Sequence, residues 1–134
     1  MTLRILIADD DARLRRIVRQ VLDGIAAEVY EAADGREAVE VCVDRCPDWA
    51  LLDLRMSPVD GLRALVEIRA RVPETRVVIV SQYDDAGLRT RALRAGACAY
   101  LLKENLPGLK AVLLGLPPPD GPGEPGTASP APPE

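Results

Sequence analysis

Short unbroken apolar runs alternate along this chain with stretches in which apolar residues recur every three or four positions. Residues 4–8 form the first run, and it stops at three acids, Asp9, Asp10 and Asp11. Runs of this length read as strands buried on both faces. From Ala12 the period changes: Leu14, Ile17, Val18, Val21 and Leu22 fall at helical spacing between arginines, and Gly24 ends the segment. Residues 28–32 predict a second strand. Asp34, with Glu37 three positions on, predicts a capping box at the start of a helix that carries Ala38, Val41, Cys42 and Arg45 and leaves at Pro47.

The alternation continues. Residues 49–52 predict a third strand that ends on Asp53, and a loop over 54–59 leads to Asp60, the cap of a helix with Leu62, Leu65, Val66 and Ile68. Pro73 breaks that helix. Residues 76–80 predict a fourth strand ending at Ser81. Asp84 and Asp85 open a helix that stops at Gly96, residues 99–102 predict a fifth strand ending at Lys103, and Pro107 sits at the start of a last helix. Five strand–helix repeats argue for an α/β fold in which helices cover both faces of a parallel sheet. After residue 116 the pattern is lost. Residues 117–134 are Pro, Gly, Ser and Ala with few others, and they are expected to form a disordered tail after a single domain over 1–116.

Composition narrows the chemistry. The 134 residues are 48% hydrophobic and 28% charged, with a net charge of −4 and no basic block, a poor match to a nucleic-acid surface. No apolar run approaches the ~20 residues of a membrane span, so the expectation is a cytoplasmic protein without a membrane partner. The three cysteines make no disulfide framework, and Cys42 and Cys46, four apart, would share one helix face as small half-buried side chains. The chain has no histidine. Histidine-based triads, dyads and metal sites are thereby excluded, as is a histidine kinase.

What remains is a convergence. The carboxyl ends of the strands in an open α/β sheet line one crevice. Here they would bring Asp9, Asp10, Asp53, Ser81 and Lys103 together. Carboxylates ~5 Å apart repel by roughly 3 kcal/mol per pair at an effective dielectric near 20. Three of them call for raised pKa values or a hard cation, and oxygen ligands in an open site suit Mg²⁺. A metal, a lysine and a hydroxyl are the groups that stabilise a transferring phosphoryl group. Asp53 stands alone at its strand end and is the better nucleophile candidate. Taken singly, each residue has a plainer explanation: Asp11 and Asp60 as helix caps, Lys103 as a surface lysine, Ser81 as a turn residue, Tyr100 as packing.

Residues 3–116 resemble the receiver domain of bacterial two-component response regulators. The resemblance rests on Ile5-Leu6-Ile7-Ala8-Asp9-Asp10, Leu51-Leu52-Asp53-Leu54-Arg55-Met56, Asp60-Gly61-Leu62, Val78-Ile79-Val80-Ser81 and Gly96-Ala97 followed by Tyr100-Leu101-Leu102-Lys103, in this order and spacing. It implies a flavodoxin-like, doubly wound (βα)5 fold with strand order 2-1-3-4-5. It implies Asp53 as phosphoacceptor, Mg²⁺ held by Asp10, Asp53 and the backbone carbonyl of Arg55 with Asp9 acting through water, Lys103 on a phosphoryl oxygen, and Ser81 and Tyr100 as the switch pair. The phosphodonor it implies is a phosphohistidine on a sensor histidine kinase. The output would be an unidentified protein that reads the face of helix four, strand five and helix five, with a phosphorylation-dependent homodimer left open. By position alone, Arg55 and Tyr83 would shield the phosphoryl group from water.

The chain departs from the family in two places. Ser57 stands where the family has proline, with Pro58 next, so a shifted turn is expected. Glu104 replaces the proline after Lys103. Lys103-Glu104 and the run from Ser81 to Asp85 resemble the subgroup with a LuxR-type helix-turn-helix. No such domain follows, and no direct DNA binding is expected from this chain. Other readings stay open: a haloacid-dehalogenase-type phosphatase using the Asp9/Asp11 spacing, against which Arg13 stands where Thr or Val is wanted; a phosphorylation-independent binding module; and a transcription factor lacking its DNA-binding part.

Overall fold

A computed structural model of the chain describes residues 3–56 and 59–115. Its elements alternate: β1 (Leu3–Ala8), α1 (Ala12–Val21), β2 (Ala26–Ala32), α2 (Gly35–Arg45), β3 (Trp49–Asp53), α3 (Gly61–Arg71), β4 (Arg76–Ser81), α4 (Ala86–Arg94), β5 (Ala99–Leu102) and α5 (Gly108–Leu114). The strands pair in parallel as one sheet in the order β2-β1-β3-β4-β5. The order reverses direction after β2, and the crevice at that switch lies at the carboxyl ends of β1 and β3.

The apolar runs conceal a period of two. Leu6, Ala8, Ala50, Leu52, Val77, Ile79 and Tyr100 pack on one face of the sheet with residues of α2, α3 and α4. Ile5, Ile7, Trp49, Leu51, Val78, Val80 and Leu101 pack on the other with α1 and α5, through Val18, Leu22, Leu109 and Leu113. Both faces are covered, so the strands are apolar throughout. An aspartate caps each of the first four helices: Asp11, Asp34, Asp60 and Asp85 accept from the backbone N–H of Arg13, Glu37, Arg63 and Leu88. The Asp34/Glu37 pair departs slightly from a capping box, because Glu37 reaches past the cap to the N–H of Ala33 at 2.7 Å.

Several boundaries differ from the sequence expectation. β2 starts at Ala26 rather than residue 28. Asp53 and Ser81 are the last residues of their strands, not the first beyond them, because the ladder still pairs Asp53 with Val80 and Ser81 with Leu102. α1 stops at Val21, and a turn carries the chain to Gly24 at φ 91°. A single 3₁₀ turn over Lys103–Asn105, absent from the sequence reading, precedes Pro107 and α5.

The cysteine expectation needs correction. Cys46 lies beyond α2 in the left-handed conformation (φ 47°) and is exposed, while Cys42 is buried in the core. They share no helix face, and burial pushes the Cys42 thiol up to about 12. The Ser57/Pro58 turn and the 117–134 tail lie outside the described residues. No helix among the described residues is long and apolar enough to cross a membrane.

Candidate functional site

Three strand ends deliver the acids and the lysine. Asp9 follows β1, and its N–H donates to the Ala32 carbonyl at 3.1 Å, extending the ladder by one residue. Its carboxylate is buried and accepts from the N–H of Asp11 at 2.9 Å. Asp10 is exposed. Asp11 lines the cleft but caps α1, accepting from the N–H of Arg13 at 2.9 Å. The second carboxylate that the phosphatase reading needs is therefore spent on a helix terminus.

Asp53 is the buried last residue of β3. From the end of β5, Lys103 Nζ stands 3.0 Å from Asp53 Oδ1 and 3.3 Å from Asp9 Oδ2. Ligand oxygens of Asp9, Asp10 and Asp53 all lie within 4.8 Å of one another. The cleft they open onto encloses about 250 Å³, several times the roughly 30 Å³ share of one water. That is room for a hydrated ion or a phosphoryl group. Asp11, Arg55, Gln82 and Tyr83 complete its wall.

The electrostatics follow from this crowding. Burial, with a smaller push from the Asp9 charge, raises the Asp53 carboxyl to about 6 even though the Lys103 ammonium works against it. Asp9 is raised for the same first reason. Burial alone would lower Lys103, yet Asp53 and Asp9 hold it above its ordinary value. One lysine thus faces two buried acids, and among the described residues no ion pair reaches Asp10. A cluster of hard oxygen donors short of positive charge fits a hard divalent cation such as Mg²⁺.

The remaining candidates are arranged around this centre. Ser81 is fully buried, and its Oγ accepts from the N–H of Tyr83 at 2.9 Å without lining the cleft. The Arg55 guanidinium stacks on the Tyr83 ring at 4.9 Å, and Gln82 Nε2 donates to the Tyr83 hydroxyl at 3.1 Å. Tyr100 is buried in the core. Its hydroxyl donates to the Tyr83 carbonyl at 2.7 Å, and Arg89 covers its ring at 5.0 Å. Tyr83 therefore touches Ser81, Arg55 and Tyr100 at once.

Two participants escaped the sequence reading. Gln82 had no assigned role although it adjoins Ser81. Arg15 Nη1 holds the Asp9 carbonyl at 2.5 Å, and nothing in a helix rich in arginine singles it out.

Comparison with known proteins agrees with this geometry. The family model described as "Response regulator receiver domain" matches residues 5–113. The chain is 34% identical over 129 residues to the response regulator MprA of Mycolicibacterium vanbaalenii, covering 92% of this chain and 56% of that protein. It is 36% identical over 100 residues to the regulatory protein AtoC of Escherichia coli, covering 75% of this chain and 22% of that protein. It therefore spans little more than half, or far less, of these relatives' own lengths. Among solved structures, the signal receiver domain of a NarL response regulator from Mycobacterium tuberculosis superposes with a TM-score of 0.76 at 34% identity, covering 85% of this chain and 95% of that one. The chain belongs to the receiver domain family of two-component response regulators, whose members accept a phosphoryl group on an aspartate.

Proposed function

We propose that Asp53 is the phosphoacceptor of this receiver, with Mg²⁺ held by the carboxylates of Asp9, Asp10 and Asp53 and the backbone carbonyl of Arg55. The observation that carries the reading is the buried Asp53 carboxylate at the mouth of the cleft, 3.0 Å from Lys103 and within 4.8 Å of two further acids. When bound, Mg²⁺ supplies the positive charge that lets the acids ionise together and that offsets charge on a transferring phosphoryl group.

The chain's own groups account for the rest. An Asp53 carboxylate oxygen forms the new bond to phosphorus. The P–N bond of a phosphohistidine on a partner kinase breaks, and its electron pair stays on the imidazole. Lys103 Nζ balances charge on a non-bridging phosphoryl oxygen. Ser81 uses its oxygen as an acceptor for Tyr83 N–H, so its own proton is free to donate to another phosphoryl oxygen. Tyr100, tied to the Tyr83 carbonyl, carries the change to the face formed by α4, β5 and α5.

The domain catalyses its own phosphorylation and dephosphorylation and turns over no other substrate. Its partners are a sensor histidine kinase and an output protein that reads the altered face, with a phosphorylation-dependent homodimer as one form of that reading. No direct DNA contact is assigned to it, and it acts in the cytoplasm as one domain over residues 1–116.

The test is incubation with Mg²⁺ and acetyl phosphate, followed by intact mass, on wild type and Asp53→Asn. The expected result is an acid-stable, base-labile adduct of one phosphoryl group, dependent on Mg²⁺ and confined to wild type. A correctly folded wild type with no adduct would instead favour a receiver-shaped binding module or a strictly kinase-dependent receiver.

A further inference from the structure

The loop between β3 and α3 begins at the acceptor and includes Arg55, and a glycine holds each of its described ends. At the near end, Gly61, the first residue of α3, donates its N–H to the Leu54 carbonyl at 3.0 Å. A Cβ on Gly61 would run into the carbonyl oxygen of Asp53 and stand 3.0 Å from Asp53 C and Leu54 Cα. At the far end, Gly35, the first residue of α2, donates to the Val59 carbonyl at 3.0 Å. A Cβ there would run into that same oxygen, with Val59 C at 2.9 Å and Cγ1 at 2.8 Å.

Neither position needs glycine for its backbone angles. Among the described residues, the glycines at positive φ are Gly24, Gly96 and Gly115. At a helix start, an ordinary residue would favour the helix by up to ~1 kcal/mol over glycine. The obstacle is space, and the clashing atoms are mostly backbone, which cannot rotate aside as a side chain can. Gly87 is the contrast: a Cβ there meets only the Asp85 Oδ1 side-chain atom, at 3.2 Å.

We infer that Gly35 and Gly61 are positioning residues for the phosphorylation site, clamping the β3–α3 loop so that Asp53 and the Arg55 carbonyl keep a fixed geometry relative to Asp9 and Asp10. This rests on the reading of Asp53 as a Mg²⁺-dependent acceptor. The two clamps act differently. Gly61 sets the backbone of the nucleophile itself. Gly35 holds the far end of the loop at Val59.

The experiment compares wild type, Gly61→Ala, Gly35→Ala and Gly87→Ala. Mg²⁺ binding is read by calorimetry, labelling by acetyl phosphate is read across Mg²⁺ concentrations, and circular dichroism confirms folding. Gly35→Ala is expected to weaken Mg²⁺ binding roughly tenfold, with a labelling rate at saturating Mg²⁺ close to wild type. Gly61→Ala is expected to lose about 10²-fold in that saturating rate. Gly87→Ala is expected to match wild type in both. The inference is overturned if Gly35→Ala and Gly61→Ala keep wild-type binding and rate, or if Gly87→Ala changes both by the same factor. It is also overturned if neither alanine variant folds, since the glycines would then serve the fold rather than the site. Absence of labelling in wild type would instead count against the acceptor reading itself.

Discussion

At the edge where the strands begin, polar groups meet partners within the chain. Arg4 donates its backbone N–H to Asp48 at 2.9 Å, and its guanidinium reaches the Tyr30 hydroxyl and the carbonyls of Arg45 and Cys46. Arg4 and Arg45 both pack over the Tyr30 ring. Thr75, fully buried, closes the Pro47 carbonyl with a 2.7 Å hydrogen bond. At the edge where the strands end, three carboxylates converge on one lysine. The same sheet satisfies its polar groups at one end and leaves them short of positive charge at the other. That deficit distinguishes the functional edge, because a hard cation or protonation of a carboxylate relieves it.

This contrast can be broken from either side, and removing the lysine should have the largest effect. Lys103→Ala deletes the one cation that, among the described residues, pairs with both buried acids. The labelling rate at saturating Mg²⁺ should fall by about 10²–10³-fold, measured by intact mass against time.

Next comes the cost of the acidic edge to stability. The Asp53 carboxyl sits at about 6, above its ordinary 3.8, so between these values the folded chain binds more protons than the unfolded one. Its contribution is fully present below the unfolded value and is lost as pH rises through about 6. In Mg²⁺-free buffer near neutral pH, Asp53→Asn should therefore stabilise the fold, by at most about 3 kcal/mol. It should also flatten the fall in stability across that window. Urea melts from acid to neutral pH check this, and a destabilised Asp53→Asn would refute the claim that the buried charge is uncompensated.

The opposite edge should respond in the opposite way. Thr75→Val keeps the shape but leaves the buried Pro47 carbonyl without its donor, at a cost of about 1–3 kcal/mol. The labelling rate of the folded protein should not change, which chemical denaturation and phosphorylation on one sample would show. The smallest effect is expected at the rim of the cleft. Arg55→Ala and Tyr83→Ala each dismantle the 4.9 Å stack and should change the dephosphorylation rate by only a few-fold. An unchanged rate in both would remove their proposed shielding role.

How far each feature could be read from the residues follows from how local its cause is. The five strands were legible because a strand buried on both faces needs an unbroken apolar run, and the caps because Asp11, Asp34, Asp60 and Asp85 satisfy amides two or three residues away. Cys46 was misplaced because it directly precedes Pro47, a position disfavoured for helix, and so falls just beyond α2 in the left-handed conformation. Gly35 carries no local signal of its role, since the carbonyl it accommodates belongs to Val59 on another element.

The sequence by itself determined the order of the elements, the strand ends on which Asp9, Asp53, Ser81 and Lys103 fall, and the absence of histidine chemistry. These depend on periodicity and residue type, which are local properties of a chain. Only the tertiary structure decided that Lys103 spans Asp9 and Asp53, that Asp11 is withdrawn from the cluster, that Tyr83 joins Ser81 to Arg55 and Tyr100, and that two glycines bound the acceptor loop. Each of these is a distance between elements far apart in sequence, and parallel strands bring such residues together only after the crossovers have closed.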